Sequence, residues 1–326
     1  MRAFEYAHPK TVAEAVGLLS PQWGETEILA GGTDLLSLMK NELATPKRVV
    51  NIKGIAELRG IRQTNSGWRI GALTTLEELA EDKRLDAAIR QAAAGVASPQ
   101  LRTMGTIGGD LLQRPRCWYY RNGLGLLARD ASGKPLVPDG ENRYHAILGN
   151  SGPAYFVHPS SLAPALMALG ASVRLAGPKG ERTVALGEFF AVPKAEQDRE
   201  TVLQPNEILT EIEIALPELT RSSATYEVRQ REAMDWPLAT ASVAVGMAGG
   251  KVGHASIVLG HVAPVPWQAR EASEWLAGKP LNEETAAKAG EAAVRGAKPL
   301  RQNAYKVQLA KVAVKRALLA AAGKGA

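Results

Sequence analysis

Cysteine is almost absent from this sequence, since Cys117 is the only one among 326 residues. A single thiol excludes a disulfide within the chain, and it also excludes a metal site built from several thiolates of the same chain. Proteins without disulfides are typical of reducing compartments. The cysteine content therefore predicts a protein of a reducing compartment that has no thiolate metal site of its own.

Long apolar runs are missing as well. No stretch is long and apolar enough for a membrane-spanning helix, and the segment Met1–Pro9 lacks the apolar core of a signal peptide. We therefore expect a cytoplasmic protein without membrane contact. A periplasmic location is expected only if the chain is exported with a partner that carries the signal.

Acidic residues are absent after Glu291, and aromatic residues make up only 5% of the chain. The net charge is +6, and lysine and arginine are concentrated in this C-terminal segment. Such a segment could bind nucleic acid, or it could be the solvated face of a helix. The charges do not alternate with a series of aromatic side chains that could stack on bases, so the helix is favoured and no nucleic-acid partner is expected.

The common phosphate-binding signatures do not fit the glycine-rich loops of this chain. Two loops nevertheless share the pattern Gly-Gly-(Thr)-Asp-Leu-Leu, one within Leu29–Leu36 and the other within Thr103–Gln113. Glycine lets a backbone approach a ligand closely, and exposed N–H groups in such a turn bind anions. Glycine clusters more often form tight turns, but two similar loops could hold one dinucleotide between them.

The length predicts two or three domains. Strands and helices alternate in residues 1–56, which predicts a small α/β lobe. A second lobe is predicted over residues 57–221, with a weakly periodic insertion at 114–149 and a strand at Ala154–His158.

Residues 222–326 are predicted to form a C-terminal α+β domain. A boundary is expected near Pro217–Ser223. Three antiparallel strands follow, with a hairpin turn at Gly249-Gly250, and the remainder is helical by its apolar spacing.

Short motifs in a fixed order carry a family resemblance. The motifs are Phe4-x-Tyr6-x-x-Pro9, Ala30–Leu35, Ile70–Thr75, Ala97–Arg102, Thr106–Leu111, His158–Ala165 and Asn206–Leu209. In this order they resemble the FAD-binding subunit of molybdenum hydroxylases, the xanthine dehydrogenase and carbon monoxide dehydrogenase family. The runs Gln113–Tyr119 and Asn142–His145 are similar to those of its branch of bacterial aldehyde-oxidising trimers.

The resemblance implies an α+β fold, with a two-lobed FAD-binding domain of the PCMH type and a C-terminal three-stranded antiparallel sheet with helices. It implies that FAD is bound non-covalently and that backbone N–H groups of both glycine loops hold its diphosphate. Thr33 and Thr106 would add hydroxyl donors, and Leu209 would pack near the isoalloxazine or adenine ring. No catalytic residue is implied, because the flavin carries the redox chemistry. The implied cofactor-binding residues are Leu29, Ala30, Gly31, Gly32, Thr33, Asp34, Leu35, Arg102, Thr106, Gly108, Gly109, Asp110, Ser161, Leu209 and Glu227.

The resemblance also implies two partner subunits. Electrons would arrive from [2Fe-2S] clusters in a small iron–sulfur subunit and leave through FAD to an external acceptor. The substrate, by this branch an aldehyde, would be oxidised at a molybdenum cofactor in a large subunit.

Three positions depart from the family pattern. Relatives in this branch often bind a four-iron cluster through several cysteines of the insertion. A single thiolate cannot hold such a cluster, so we expect none in this chain. We therefore interpret Cys117 as an ordinary buried cysteine. Ser161 stands where the family usually has aspartate. Glu227 stands where the family often has a lysine near the flavin. The carboxylate of Glu227 would disfavour an anionic reduced flavin, unless Arg229 supplies the positive charge instead.

Two other functions remain open from the sequence. A stand-alone flavin oxidase of related fold commonly tethers FAD through a histidine near the first loop, and none occurs within Leu29–Leu36. A scaffold that has lost FAD is disfavoured by the intact glycines of both loops. The dispersed histidines predict no metal site.

Overall fold

The computed structural model describes residues 1–217, 219–230 and 235–324. The N-terminal lobe consists of β1 (Glu5–Ala7), α1 (Val12–Gly17), β2 (Thr26–Leu29), α2 (Leu35–Lys40), β3 (Arg48–Asn51) and a 3-10 helix at Ala56–Leu58. Its sheet is parallel in the order β1-β3-β2. Within the described residues, β2 therefore has one edge without a partner strand, and the first glycine loop begins where this strand ends.

The second lobe is built on a five-stranded antiparallel sheet. Its elements are β4 (Ile61–Thr64), β5 (Gly67–Gly71), α3 (Leu76–Glu81), α4 (Ala87–Gly95), α5 (Pro99–Arg102), α6 (Ile107–Leu111), α7 (Trp118–Arg121), α8 (Leu162–Ala168), β6 (Ser172–Gly177), β7 (Gly180–Ala185), α9 (Leu186–Phe189) and β8 (Ile208–Ala215). The strand order is β4-β5-β8-β6-β7. Every residue of α8 is buried, so this apolar helix forms the centre of the lobe.

The chain after β8 forms a third sheet with helices. Its elements are β9 (Arg221–Val228), β10 (Ala239–Ala248), β11 (Lys251–Gly260), β12 (Trp267–Gln268), α10 (Arg270–Leu276), α11 (Glu283–Ala293) and α12 (Tyr305–Ala321). The three predicted antiparallel strands are confirmed, and a two-residue fourth strand, β12, extends the sheet at the edge of β11.

The predicted hairpin turn joins β10 and β11. Both Gly249 and Gly250 have positive φ, +56° and +76°, which side-chain-bearing residues rarely adopt. Among the described residues, none of the helices combines the length and the apolar character needed to cross a membrane.

The C-terminal sheet is attached to the second lobe through α4. Asp86, just before this helix, forms an ion pair with Arg221 of β9 at 3.1 Å. Ser223 accepts a hydrogen bond from the N–H of Ala88, and Thr225 donates to its carbonyl. The domain limits 1–56, 57–221 and 222–326 stay a prediction.

The strand predicted at Ala154–His158 is wrong, because this segment has no strand in the structure. Its backbone groups instead form hydrogen bonds with residues of other irregular segments. Tyr155 accepts from the N–H of Ala146, and His158 donates its N–H to the carbonyl of Ala263. The apolar residues that suggested a strand are buried against α2 and the insertion, and burial by itself does not distinguish a strand from a loop whose hydrogen bonds are satisfied.

Lys306 fastens α12 to the insertion. Its side chain is only 1% exposed, and Nζ donates to the carbonyl oxygens of Tyr144 (3.1 Å), His145 (3.2 Å) and His261 (2.7 Å). Burial lowers the pKa of Lys306 to about 7. One buried amino group thus joins three chain segments that are distant in sequence.

We expect Lys306→Met to destabilise the protein by about 2–4 kcal/mol, because the carbonyl oxygens of Tyr144, His145 and His261 each lose one hydrogen-bond donor. Urea unfolding followed by circular dichroism measures the change. The matched variant on the same helix, Lys315→Met, loses only an ion pair with exposed Glu283 at 2.6 Å and should cost less than about 1 kcal/mol. Equal losses in the two variants would contradict the role of Lys306.

Candidate functional site

A cavity of about 350 Å³ lies along the free edge of β2. Residues of the strand itself, including Glu27 and Ile28, form part of its wall. The other parts come from both glycine loops and from the start of β8. The predicted cofactor-binding residues in the wall are Ala30, Gly31, Gly32, Thr33, Asp34, Leu35, Thr106, Gly108, Gly109 and Leu209.

The two glycine loops are in direct contact. A Cβ atom on Gly31 would lie 1.8 Å from the carbonyl oxygen of Met104, which precedes the second loop's Gly105. Gly108 approaches the carbonyl of Ala72 so closely that a Cβ would lie 3.0 Å from it. Gly32 has a φ of +76°. Glycine is therefore required at Gly31 for close approach and at Gly32 for backbone conformation.

The backbone donors of the two loops differ. Among the described residues, no acceptor takes the N–H groups of Gly31, Gly32 and Thr33. In the second loop, Gly108 donates to the carbonyl of Ala72, and Gly109 donates to the hydroxyl oxygen of Thr106 at 3.1 Å. The first loop thus carries open anion-binding donors.

The prediction that both loops offer N–H groups to a diphosphate stays a prediction for the second loop. The N–H groups of Gly108 and Gly109 are already used within the protein, the latter because Thr106 caps α6, whereas no acceptor among the described residues takes the N–H of Thr106. The second loop's contribution to the cavity is a close-packed wall that includes Gly108 and Gly109, at which a Cβ would contact Ala72 and Thr106 respectively.

Charged side chains that the motifs did not indicate also line the cavity. Glu27 lies in its wall, and burial raises the pKa of this carboxyl group while the charge of Arg114 opposes the shift. Arg114 pairs with buried Glu200 at 3.1 Å. Arg199 lies over the ring of Trp23 at 4.5 Å. Glu27 could have been noticed as a charge within an apolar strand, but the other three residues carry no recognisable sequence signal.

Five predicted cofactor-binding residues lie outside the cavity wall, namely Leu29, Arg102, Asp110, Ser161 and Glu227. Arg102 forms an ion pair with Glu77 at 2.8 Å and donates to the carbonyl of Ala94 at 3.2 Å. These contacts give Arg102 a structural role at the end of α5. Its predicted contact with FAD stays a prediction.

Asp110 connects the second loop to α8. Its carboxylate accepts hydrogen bonds from the hydroxyl of Ser160 and from the N–H of Leu162 at 3.3 Å. Burial raises the pKa of Asp110 to about 6, although these two donors oppose the shift. A carboxyl group with both oxygens turned into the protein holds the second loop in place.

The two departures at Ser161 and Glu227 lie together. The hydroxyl of Ser161 donates to Glu227 at 2.6 Å, and Glu227 forms an ion pair with Arg229. Arg229 also donates to the carbonyl of Gly95. The positive charge of Arg229 therefore compensates the carboxylate, as the sequence had left open.

Cys117 lies beside His145. The thiol is partly buried, and its Sγ is 3.2 Å from Nε2 of the histidine. Burial raises the pKa of the Cys117 thiol and lowers the pKa of His145 to about 4. Both groups are thus neutral near pH 7, and the described residues contain no cluster of three or more potential metal ligands.

The residues present fit a dinucleotide. Open N–H groups at Gly31–Thr33 form a cradle for a diphosphate, and a Cβ on Gly31 would disrupt it. Apolar Ile28 and Leu209 line the same cavity and offer surfaces for a planar ring. The arrangement is suited to holding and orienting a redox cofactor.

Comparisons with known proteins agree with this geometry. Residues 2–217 match the FAD binding domain in molybdopterin dehydrogenase, and residues 224–321 match the CO dehydrogenase flavoprotein C-terminal domain. The carbon monoxide dehydrogenase medium chain of Afipia carboxidovorans is 33% identical over 97% of this chain and 96% of its own length. The FAD-binding subunit of an aldehyde oxidoreductase of Escherichia coli is 31% identical over 95% and 96%.

Solved structures give the same result. The structure of reconstituted CO dehydrogenase from Oligotropha carboxidovorans has a TM-score of 0.77 at 29% identity, covering 99% of both chains. That of quinoline 2-oxidoreductase from Pseudomonas putida has a TM-score of 0.75 at 26% identity, covering 99% of this chain and 98% of that one. The fold, the cavity between paired glycine loops and these relatives together show that this chain belongs to the FAD-binding medium-chain subunits of the xanthine dehydrogenase and carbon monoxide dehydrogenase family of molybdenum hydroxylases.

Proposed function

We propose that this chain holds FAD in the cavity along β2 and passes electrons between a partner's iron–sulfur clusters and an external acceptor. The observation that carries the proposal is the set of open N–H groups at Gly31, Gly32 and Thr33, facing a wall formed by the second loop. Three unpaired donors on one turn beside the cavity form an anion site, and a diphosphate is the part of FAD that can accept hydrogen bonds from several of them at once.

Each part of the cavity has a proposed task. The first loop binds the diphosphate, and the apolar side chains of Ile28 and Leu209 exclude water from a ring. The second loop sets the width of the cavity through Gly108 and Gly109. When bound, FAD supplies the ability to accept electrons in pairs and release them singly.

The positions outside the wall have a proposed task as well. Ser161, Glu227 and Arg229 form a hydrogen-bonded group of nearly balanced charge beyond Asp110. We assign to this group a charge-balancing task, since Arg229 offsets the carboxylate of Glu227 and the pair then favours neither a neutral nor an anionic flavin ring strongly. Asp110 keeps the second loop attached to α8 and needs no contact with the cofactor.

The chain acts within a complex. Relatives of similar length are named as medium chains or FAD subunits of dehydrogenases, which supports a large subunit with a molybdenum cofactor and a small subunit with [2Fe-2S] clusters. An aldehyde is the proposed substrate class of the complex, supported by the run Gln113–Tyr119, which is similar to that of the aldehyde-oxidising branch.

The purified chain is expected to bind FAD non-covalently. Denaturation followed by filtration should release all of the yellow colour, and refolded protein should take up FAD with quenching of its fluorescence. A colourless protein without flavin affinity would overturn the proposal. Iron analysis of the same preparation tests the expected absence of a cluster in the insertion.

Gly31→Ala should weaken FAD binding at least about tenfold, because a Cβ 1.8 Å from the carbonyl of Met104 forces the loops apart. Fluorescence titration of the apoprotein gives the dissociation constant. The matched variant Gly17→Ala adds a Cβ with no heavy atom within 4 Å and should leave the affinity unchanged. Equal affinities for Gly31→Ala and the parent protein would show that the loop contact is irrelevant to binding.

The purified complex should be reduced by aldehydes rather than by carbon monoxide. Anaerobic spectra recorded after each addition report bleaching of the flavin in this subunit, which occurs only if electrons reach it from the substrate site. Bleaching by carbon monoxide alone would contradict the aldehyde assignment but leave FAD binding intact.

A further inference from the structure

Asp34 of the first glycine loop is held by the segment that follows the second loop. Its carboxylate accepts a hydrogen bond from the N–H of Arg114 at 2.9 Å. It also pairs with the guanidinium groups of Arg121 at 2.9 Å and of Arg116 at 3.2 Å. The carboxylate is therefore directed at the insertion.

The guanidinium groups that contact Asp34 outnumber its carboxylate, although the charge of Asp110 also acts on Arg116. Two guanidinium groups share the single carboxylate of Asp34, whose side chain and that of Arg121 are both only 15% exposed. Nε of Arg116 and Nη1 of Arg121 are buried without any hydrogen-bond partner among the described residues. Because buried charge in excess is costly, an anion nearby would stabilise this arrangement.

The segment that carries these arginines is firmly built. Arg121 donates from Nε to the carbonyl of Pro115 at 2.8 Å and from Nη2 to the carbonyl of Arg114 at 2.9 Å. Tyr120, beside it in α7, packs in one apolar cluster with Leu38 of α2, the helix that follows the first loop. The segment can therefore transmit its position to the loop.

We propose that Asp34, Arg116 and Arg121 form a charge clamp through which residues 114–121 hold the first glycine loop closed and add positive charge beside the cofactor's diphosphate. Asp34 is then a positioning residue and not a ligand of FAD, since a bare carboxylate would repel a diphosphate and this one is neutralised. The clamp rests on the proposed function, because it requires the diphosphate to lie at Gly31–Thr33.

In this proposal the start of the insertion, residues 114–121, helps to retain the bound cofactor. The positive charge acts on phosphate groups at a distance, so its effect should depend on salt and on the number of phosphates in the ligand. A purely structural role would affect every ligand of the cavity equally.

The test compares Arg121→Gln and Arg116→Gln with the parent chain, using FAD, ADP and adenosine as ligands of the apoprotein. We expect the dissociation constants of FAD and ADP to rise about tenfold or more and that of adenosine to change less than about twofold. The affinity for FAD should also depend less steeply on potassium chloride concentration. Arg143→Gln is the matched control, because the guanidinium of this arginine of the same insertion pairs with exposed Glu141 and with no other acid among the described residues.

A second variant, Asp34→Asn, keeps an acceptor for the N–H of Arg114 but loses the charge. The rates of backbone amide hydrogen exchange should rise together in residues 30–35 and 114–121. FAD should also dissociate faster from this variant. The clamp is overturned if the variants lose affinity for ADP and adenosine equally, or if no variant changes any affinity. The proposed function still stands in that case, provided that the parent chain binds FAD. If the parent chain binds no FAD, both proposals fail.

Discussion

The approach of Gly31 to the carbonyl of Met104 is the contact on which the site depends. A Cβ at this position would lie 1.8 Å from that oxygen, so only a glycine allows the two lobes to meet here. Because the first loop follows β2 and the second loop leads into α6, this contact joins the lobe of the parallel sheet to the lobe of the antiparallel sheet. Residues of both loops line the cavity.

The unpaired edge of β2 gives the cavity its shape. An edge strand exposes backbone groups that could pair with another strand, and proteins usually cover such edges. Here the cavity extends along the edge from Glu27 to the open N–H groups of Gly31–Thr33. A bound cofactor would therefore cover backbone that is otherwise exposed, which couples cofactor binding to the stability of the N-terminal lobe.

The insertion, residues 114–149, links other parts of the protein although it contains a single cysteine. It joins the first loop through Asp34 and the C-terminal domain through buried Lys306. Cys117 and His145 are neutral neighbours within it.

Apolar periodicity was enough to predict the three long C-terminal strands, and the ordered motifs predicted the family and, through the resemblance, ten of the residues that line the cavity. Neither signal could show that Asp34 contacts the insertion, that Glu27 and Glu200 line the cavity, or that the N–H groups of Gly108 and Gly109 are already used. The strand predicted at Ala154–His158 failed for the same reason. Hydrogen-bond partners distant in the chain are selected only when the lobes pack, so the tertiary structure alone decided them.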